Sequence, residues 1–329
     1  MNVDGHPVDV RASIGIAMAP DHGTERATLV RRADVAMYAA KRNNVGVVVW
    51  EDRYDRHSRE RLSLMGELRQ AVELNELTLL YQPKIPLRTS TDHYVEALVR
   101  WQHPGRGLVP PAEFIQFAEE TGYIRVITQW VLKNAIAQCA LWRRDGLPMN
   151  VAINISARDL MDVQLPEQFA ALLQAHDCAA QWITLEITES AILDDPGHAV
   201  EILGRLHALG CRISIDDYGT GYSSLACLRR LPLDELKIDR SFVMDMAHDA
   251  SDAMIVRSTI DLAHNMGLTV VAEGVDDEVV LERLRALGCD LVQGYLLCRP
   301  LQAAEVSAEL CGPAETLHTF AIRGLRLAV

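Results

Sequence analysis

His93-Tyr94-Val95-Glu96-Ala97-Leu98-Val99-Arg100 reads as a strand with a carboxylate set into its apolar run. The pattern recurs down the chain: Asn154 ends Val151-Ala152-Ile153, Glu186 follows Leu185, Asp216-Asp217 follow Ile213-Ser214-Ile215, and Lys237 sits between Leu236 and Ile238. Glu273 closes Val270-Val271-Ala272, and Gln293 follows Val292. Buried without partners, so many charges would exceed a domain's marginal stability of about 5–15 kcal/mol. Cations must meet them, and metal ions are the expected answer.

Working outward, eight short apolar runs follow one another: Leu77–Gln82, Tyr94–Arg100, Asn150–Ile155, Ile183–Ile187, Arg212–Asp216, Glu235–Ile238, Thr269–Glu273 and Leu291–Tyr295. Stretches of helical periodicity separate most of them, including Ile124–Arg143, Ala199–Leu209, Ala253–Met266 and Glu278–Leu287. Strand alternating with helix in this way predicts an α/β fold, a (β/α)8 TIM-like barrel whose chemistry gathers at the C-terminal strand ends. The connection from Pro86 to Asp92 is too short for a crossover helix of about a dozen residues. The first two strands are therefore expected to be antiparallel.

Ahead of the barrel, Ala12–Ala19, Arg26–Arg42 and Val45–Trp50 read as strand, helix and strand, a small N-terminal α/β fragment too short to bury its apolar helix face alone. Leu62, Met65, Leu68 and Val72 predict a linker helix. The expected organisation is an N-terminal fragment at 1–52, a linker at 53–76, the barrel at 77–312 and a tail at 313–329.

The chain has 329 residues, nearly half of them apolar, and a formal net charge of -13, which opposes generic binding to polymeric nucleic acid or an anionic membrane. Seven scattered cysteines without Cys-x-x-Cys spacing read as reduced core thiols. No apolar run approaches the ~18 residues of a membrane span, and Met1–Arg11 lacks a signal-peptide layout. A cytoplasmic location without direct membrane insertion is expected, with membrane attachment open to a longer parent protein.

Taken singly, the polar strand ends have ordinary readings. Asp216-Asp217 before Tyr218-Gly219-Thr220-Gly221 fits an Asx turn, Asp195-Pro196 a helix start, Ser156 a cap, and Lys237 a counter-ion. Together, Glu96, Glu186, Asp216, Asp217 and Glu273 would converge with Asn154 on one barrel mouth. Two divalent cations and Lys237 balance those five carboxylates, and an all-oxygen ligand set favours Mg²⁺ or Mn²⁺ over Zn²⁺. Such a pair suits phosphodiester hydrolysis, with the planar fork of Arg100 meeting phosphate oxygens.

These residues carry a family resemblance. Tyr81-Gln82-Pro83, Glu96-Ala97-Leu98-Val99-Arg100, Pro111-Ala112-Glu113-Phe114-Ile115, Asn154-Ile155-Ser156, Glu186-Ile187-Thr188-Glu189 and Asp216-Asp217-Tyr218-Gly219-Thr220-Gly221 stand in the family's order. Lys237-Ile238-Asp239, Ala272-Glu273-Gly274-Val275 and Gln293-Gly294-Tyr295 complete it. From about Leu77 to Leu310 the chain resembles the EAL-domain phosphodiesterases, which hydrolyse cyclic di-GMP to linear pGpG.

The resemblance implies a barrel with one antiparallel strand. It implies that Glu96, Asn154, Glu186 and Asp216 hold one metal, and that Asp216, Asp217 and Glu273 serve the second. Lys237 and Glu273 would help activate water, and Glu189 would anchor the loop that begins at Asp216. Gln82, Leu98, Arg100, Asp239, Asp276 and Gln293 would contact substrate or order the groups around it. Where the family usually has Ala-Glu-Gly-Val-Glu, this chain ends the motif with Asp276, one methylene shorter.

Ser13-Ile14-Gly15-Ile16-Ala17 and Ala33-Asp34-Val35-Ala36-Met37-Tyr38 resemble the end of a GGDEF, or diguanylate cyclase, domain without its Gly-Gly-Asp/Glu-Glu-Phe motif, so cyclase activity is not expected. A longer parent chain with sensory or GGDEF domains upstream is implied, as is a homodimer through the barrel. The rival reading, a non-catalytic cyclic di-GMP receptor, is weakened because no metal ligand of the motif is missing.

Overall fold

The computed structural model describes residues 2–3, 6–7, 12–42, 45–52, 64, 66–193, 195–220 and 228–311. It divides into two compact units, Met1–Gln70 and Ala71–Val329.

In the first unit, two-residue strands β1 (Asn2–Val3) and β2 (His6–Pro7) pair antiparallel. Strands β3 (Ile14–Ile16) and β4 (Val47–Val49) pair in parallel, joined through helix α1 (Arg26–Arg42). The strand–helix–strand order is the expected one, with shorter strands. A Cβ on Gly15 would lie 2.0 Å from the Ala33 carbonyl oxygen and 2.1 Å from the Met37 nitrogen, so only glycine lets α1 approach the sheet this closely. Ala36 and Ala40 are buried, whereas Ile14, Val47 and Val49 remain exposed. Residues 66–73 are helical, as the linker periodicity predicts. Residues 53–63 and 65 of that segment, which include Leu62 and Met65, and the tail from 312 lie outside the described residues.

The second unit is built on eight strands. They are β5 (Leu77–Pro86), β6 (His93–His103), β8 (Met149–Asn154), β9 (Ile183–Thr188), β10 (Arg212–Tyr218), β11 (Glu235–Ile238), β12 (Thr269–Ala272) and β13 (Leu291–Val292). They run in the order β5-β13-β12-β11-β10-β9-β8-β6, and a β5–β6 pairing closes the ring. The short strand β7 (Gly107–Val109) folds back on the end of β6. Six of the ring's pairings are parallel, while β5 runs against both β6 and β13. The antiparallel first pair therefore stands as expected.

Strand β5 continues four residues past the expected end at Gln82, straight through Pro83. Tyr81 exchanges both backbone hydrogen bonds with Leu301, and pairing to β13 begins only at Ile85. By the alternation of strand donors, the missing N–H of Pro83 falls in the gap between those contacts, where it costs no ladder bond. This extension carries Lys84 into the barrel.

Helices cover the outside. In Ile124–Arg144, here α3 after α2 (Pro111–Thr121), the residues Ile127, Val131, Leu132, Ala135 and Ile136 recur at spacings of three and four and are all buried. Each of the Ile, Val and Leu side chains among them contributes ~1.5–3 kcal/mol on burial. Ser156 and Asp159 form a reciprocal capping box at the start of Ala157–Leu160. Asp195 accepts from the His198 N–H with Pro196 in the first turn of Pro196–Ala208, the helix start read from the sequence.

Candidate active site

Lys237 is the hub of the barrel mouth. Wholly buried on β11, its Nζ lies 2.6 Å from Glu273 Oε1, 2.9 Å from Glu186 Oε2, 3.0 Å from Asp216 Oδ2 and 3.6 Å from Glu96 Oε2. Four strands each deliver one of these acids to a single ammonium. The counter-ion role expected for Lys237 is thus met at Asp216 rather than Asp217.

Strand alternation would send Asp216 and Asp217 to opposite faces. A register slip between Ile215 and Tyr218, where β10 carries one residue more than β11, removes that conflict. Asp217 takes the left-handed conformation with φ 55°, and its N–H donates to Asp216 Oδ1 at 2.9 Å. Carboxylate oxygens of Asp216, Asp217 and Glu273 consequently lie within 4.8 Å of one another. Gly219 N–H donates to buried Glu189 at 3.0 Å, tying the loop after Asp216 to the end of β9.

The amides complete the ring. Asn154 donates to Glu96 Oε1 at 2.7 Å, and Gln293 donates to Glu96 Oε2 at 2.8 Å and to Gln82 Oε1 at 3.1 Å. Gln82 in turn donates to the Cys298 carbonyl. A Cβ on Gly294 would strike the Val275 backbone at 2.1 Å, so glycine is required where the Gln293 turn meets the segment after Glu273.

Crowding shows in the protonation of these groups. Burial, then Asp216 and Glu96, push Glu273 up to about 8 even though it touches Lys237, because that ammonium is shared among four acids. Burial, then Asp216 and Asp239, raise Asp217 to about 6, and burial with Glu186 and Asp216 raises Glu96. Glu186 moves the other way. Burial opposes its charge, but Lys237 and Lys84 together hold it at about 2.

Lys84 and Glu235 were missing from the sequence reading. Lys84 Nζ lies 2.5 Å from Glu186 Oε1 and 3.0 Å from Glu235 Oε1, all three side chains being buried. Period-two alternation could have found both, since Lys84 is two residues from Gln82 and Glu235 two from Lys237.

The remaining expected residues stand at the rim. A cleft of about 300 Å³ is lined by Gln82, Glu96, Asp216, Glu273 and Gln293, with Arg240, Met244, Asp276 and Tyr295 around it. Asp276 accepts the Tyr295 N–H at 2.8 Å and so clasps two mouth loops together. Asp239 caps the helix Arg240–Asp245 and faces Asp217. Leu98 and Arg100 lie apart from that cleft, in a groove of about 740 Å³ that runs from Asn154 along α2 and α3. Arg100 is half-buried, and burial lowers its pKa.

The donor set fits divalent cations. Six buried or half-buried carboxylates face two lysines, leaving four negative charges to be met by protons or by two doubly charged ions. Every candidate ligand is a hard oxygen, and the buried Gln293 Oε1 has no hydrogen-bond partner among the described residues.

Comparison with known proteins agrees with this geometry. Residues 65–300 match the EAL domain family, and residues 1–46 match the diguanylate cyclase, GGDEF domain, family. Over 310 residues the chain is 42% identical to the bifunctional diguanylate cyclase/cyclic di-GMP phosphodiesterase MucR of Pseudomonas aeruginosa, covering 94% of this chain and 45% of MucR. It is 38% identical over 292 residues to the cyclic di-GMP phosphodiesterase PdeR of Escherichia coli, covering 88% of this chain and 44% of PdeR. The chain thus spans less than half the length of these two relatives. The solved PaMucR phosphodiesterase in complex with c-di-GMP matches with a TM-score of 0.71 at 43% identity, over 74% of this chain and 99% of that one. The chain belongs to the EAL domain family, and a stretch of the GGDEF family stands ahead of its barrel.

Proposed function

We propose that the barrel hydrolyses cyclic di-GMP to linear pGpG, lowering the level of this messenger in a bacterial signalling pathway. The observation that carries the reading is the single buried Lys237 shared by four carboxylates at a mouth that opens to a cleft.

Two Mg²⁺ or Mn²⁺ ions would be held by Glu96, Asn154, Glu186 and Asp216 on one side and by Asp216, Asp217 and Glu273 on the other. When bound they would supply electrophilic activation of the phosphate and acidify water. Glu273 would accept a proton from the attacking water, and Lys237 holds its carboxylate in place at 2.6 Å. The water oxygen bonds to phosphorus, one P–O bond of the ring opens, and its proton goes to Glu273 while the leaving ribose oxygen is protonated from solvent. Glu189 steadies the loop that presents Asp217. Gln82 and Gln293 keep the Glu96 carboxylate oriented.

The larger groove and the smaller cleft flank this centre and offer room for the two halves of a dinucleotide. Arg100 in the groove suits phosphate oxygens with its planar fork, and Leu98 offers an apolar wall to a base. Asp276 and Asp239 would bound the other half.

The test is turnover of cyclic di-GMP by the purified chain with Mg²⁺, with Mn²⁺ and with EDTA, following pGpG by chromatography. Cation-dependent product is expected, and Glu96→Ala should abolish it while the fold persists. Binding without product under all conditions would favour a receptor, and undiminished turnover by Glu96→Ala would overturn the site assignment.

A further inference from the structure

Beneath the mouth, the register brings three side chains abreast in the barrel interior: Ser214 on β10 is paired with Glu186 on β9 and with Glu235 on β11. Strand β5 stands diametrically opposite β10 in the ring of eight. Lys84 crosses from it and bridges the outer two members of that row, at 2.5 Å from Glu186 and 3.0 Å from Glu235.

The two oxygens of Glu186 are thereby held by different cations. Oε1 goes to Lys84 from the floor, and Oε2 goes to Lys237, the hub of the mouth. A glutamate without the lower contact could turn about its terminal torsion and offer either oxygen, or both, to an ion. Glu235 also pairs with Lys84 and so cancels the charge that Lys84 brings near a cation site.

We propose that Lys84 is a positioning residue for the cation site, pinning one oxygen of Glu186 so that only the other is presented to an incoming divalent ion, with Glu235 as its charge balance. The inference rests on the two-cation reading above. It differs from a purely structural ion pair in its consequence, because an ordinary buried pair can be exchanged for apolar residues of similar volume with little loss of stability and no other effect.

The experiment is titration of the whole chain with MnCl₂ by isothermal calorimetry, without nucleotide, alongside thermal unfolding. Lys84→Met/Glu235→Met removes the pair in balance. It should unfold cooperatively but bind Mn²⁺ about tenfold or more weakly. Should the double Met variant not fold, Lys84→Gln/Glu235→Gln is read the same way, since its shorter amide cannot reach Glu186 as Lys84 does. Wild-type affinity in the folded double variant overturns the positioning role. Absence of Mn²⁺ binding by wild type overturns the cation reading itself, and this proposal with it.

Discussion

Two buried lysines occupy neighbouring layers of one barrel, and their surroundings differ in a single respect. Lys84 on the floor meets two carboxylates, whereas Lys237 at the mouth meets four, with Asp217 beside them. Glu186, shared by both lysines, is the acid held low. Glu273, Glu96 and Asp217, buried and crowded by neighbouring acids, are raised. The floor is close to neutral and can be folded as it stands. The mouth carries a surplus that protons or metal ions have to meet, and that surplus separates a functional cluster from a structural one.

The harshest way to break the contrast is Lys237→Met. It should reduce hydrolysis at least about a hundredfold, and of the four acids it leaves facing one another only Glu186 keeps an ammonium, that of Lys84. Removing one partner of a buried ion pair costs about 3–5 kcal/mol, so the metal-free variant should melt well below wild type. Millimolar Mn²⁺ should restore much of that loss, because an ion that binds only the folded state at a hundred times its dissociation constant contributes about 2.7 kcal/mol. Denaturant melts with and without Mn²⁺ decide this. Equal stability of the two metal-free proteins would show that the mouth acids are not held by Lys237.

A gentler probe is pH. Glu273 is raised to about 8 and Asp217 to about 6 in the folded protein, so from roughly pH 4 upward the native state keeps protons that the unfolded chain has released. Stability of the metal-free protein should therefore fall as pH rises, through about 6 for Asp217 and on to about 8 for Glu273, and level off above. Glu186, held at about 2, acts with the opposite sign and only below its unfolded value near 4.5, where acid removes its contribution. Saturating Mn²⁺ should flatten the slope between pH 5 and 8 by displacing the protons. A metal-free slope of the opposite sign would refute the crowded-acid account.

The barrel was legible because its strands and helices follow two distinct periods, and the mouth was legible because Glu96, Glu186, Asp216 and Glu273 interrupt apolar runs where few other roles fit. The floor was not. Reading for strand ends looks only at the C-terminal tips of parallel strands, whereas β5 runs the other way, so its later residues descend into the barrel. Pro83 hid this further, since a proline usually ends a strand and here stands where no partner asks for its N–H. The adjacency of Asp216 and Asp217 was likewise visible as letters. That both could face the mouth depends on a register slip between β10 and β11, which pairing alone creates.

The smallest expected effect lies at Ser214. Its side chain is fully buried between Glu186 and Glu235 in the floor row, and its hydroxyl has no hydrogen-bond partner among the described residues. A buried hydroxyl without a partner is a net cost, so Ser214→Ala should leave stability unchanged or raise it by up to about 1 kcal/mol, with Mn²⁺ affinity and turnover as in wild type. The outcome bears on the comparison of the two layers. If the floor is only the Lys84 bridge, the residue under its span is a spacer, and alanine serves as well. If Ser214→Ala instead weakens Mn²⁺ binding, the hydroxyl donates to Glu186 or Glu235 in solution, and the floor is a three-membered support for the mouth in which charge balance is only one part.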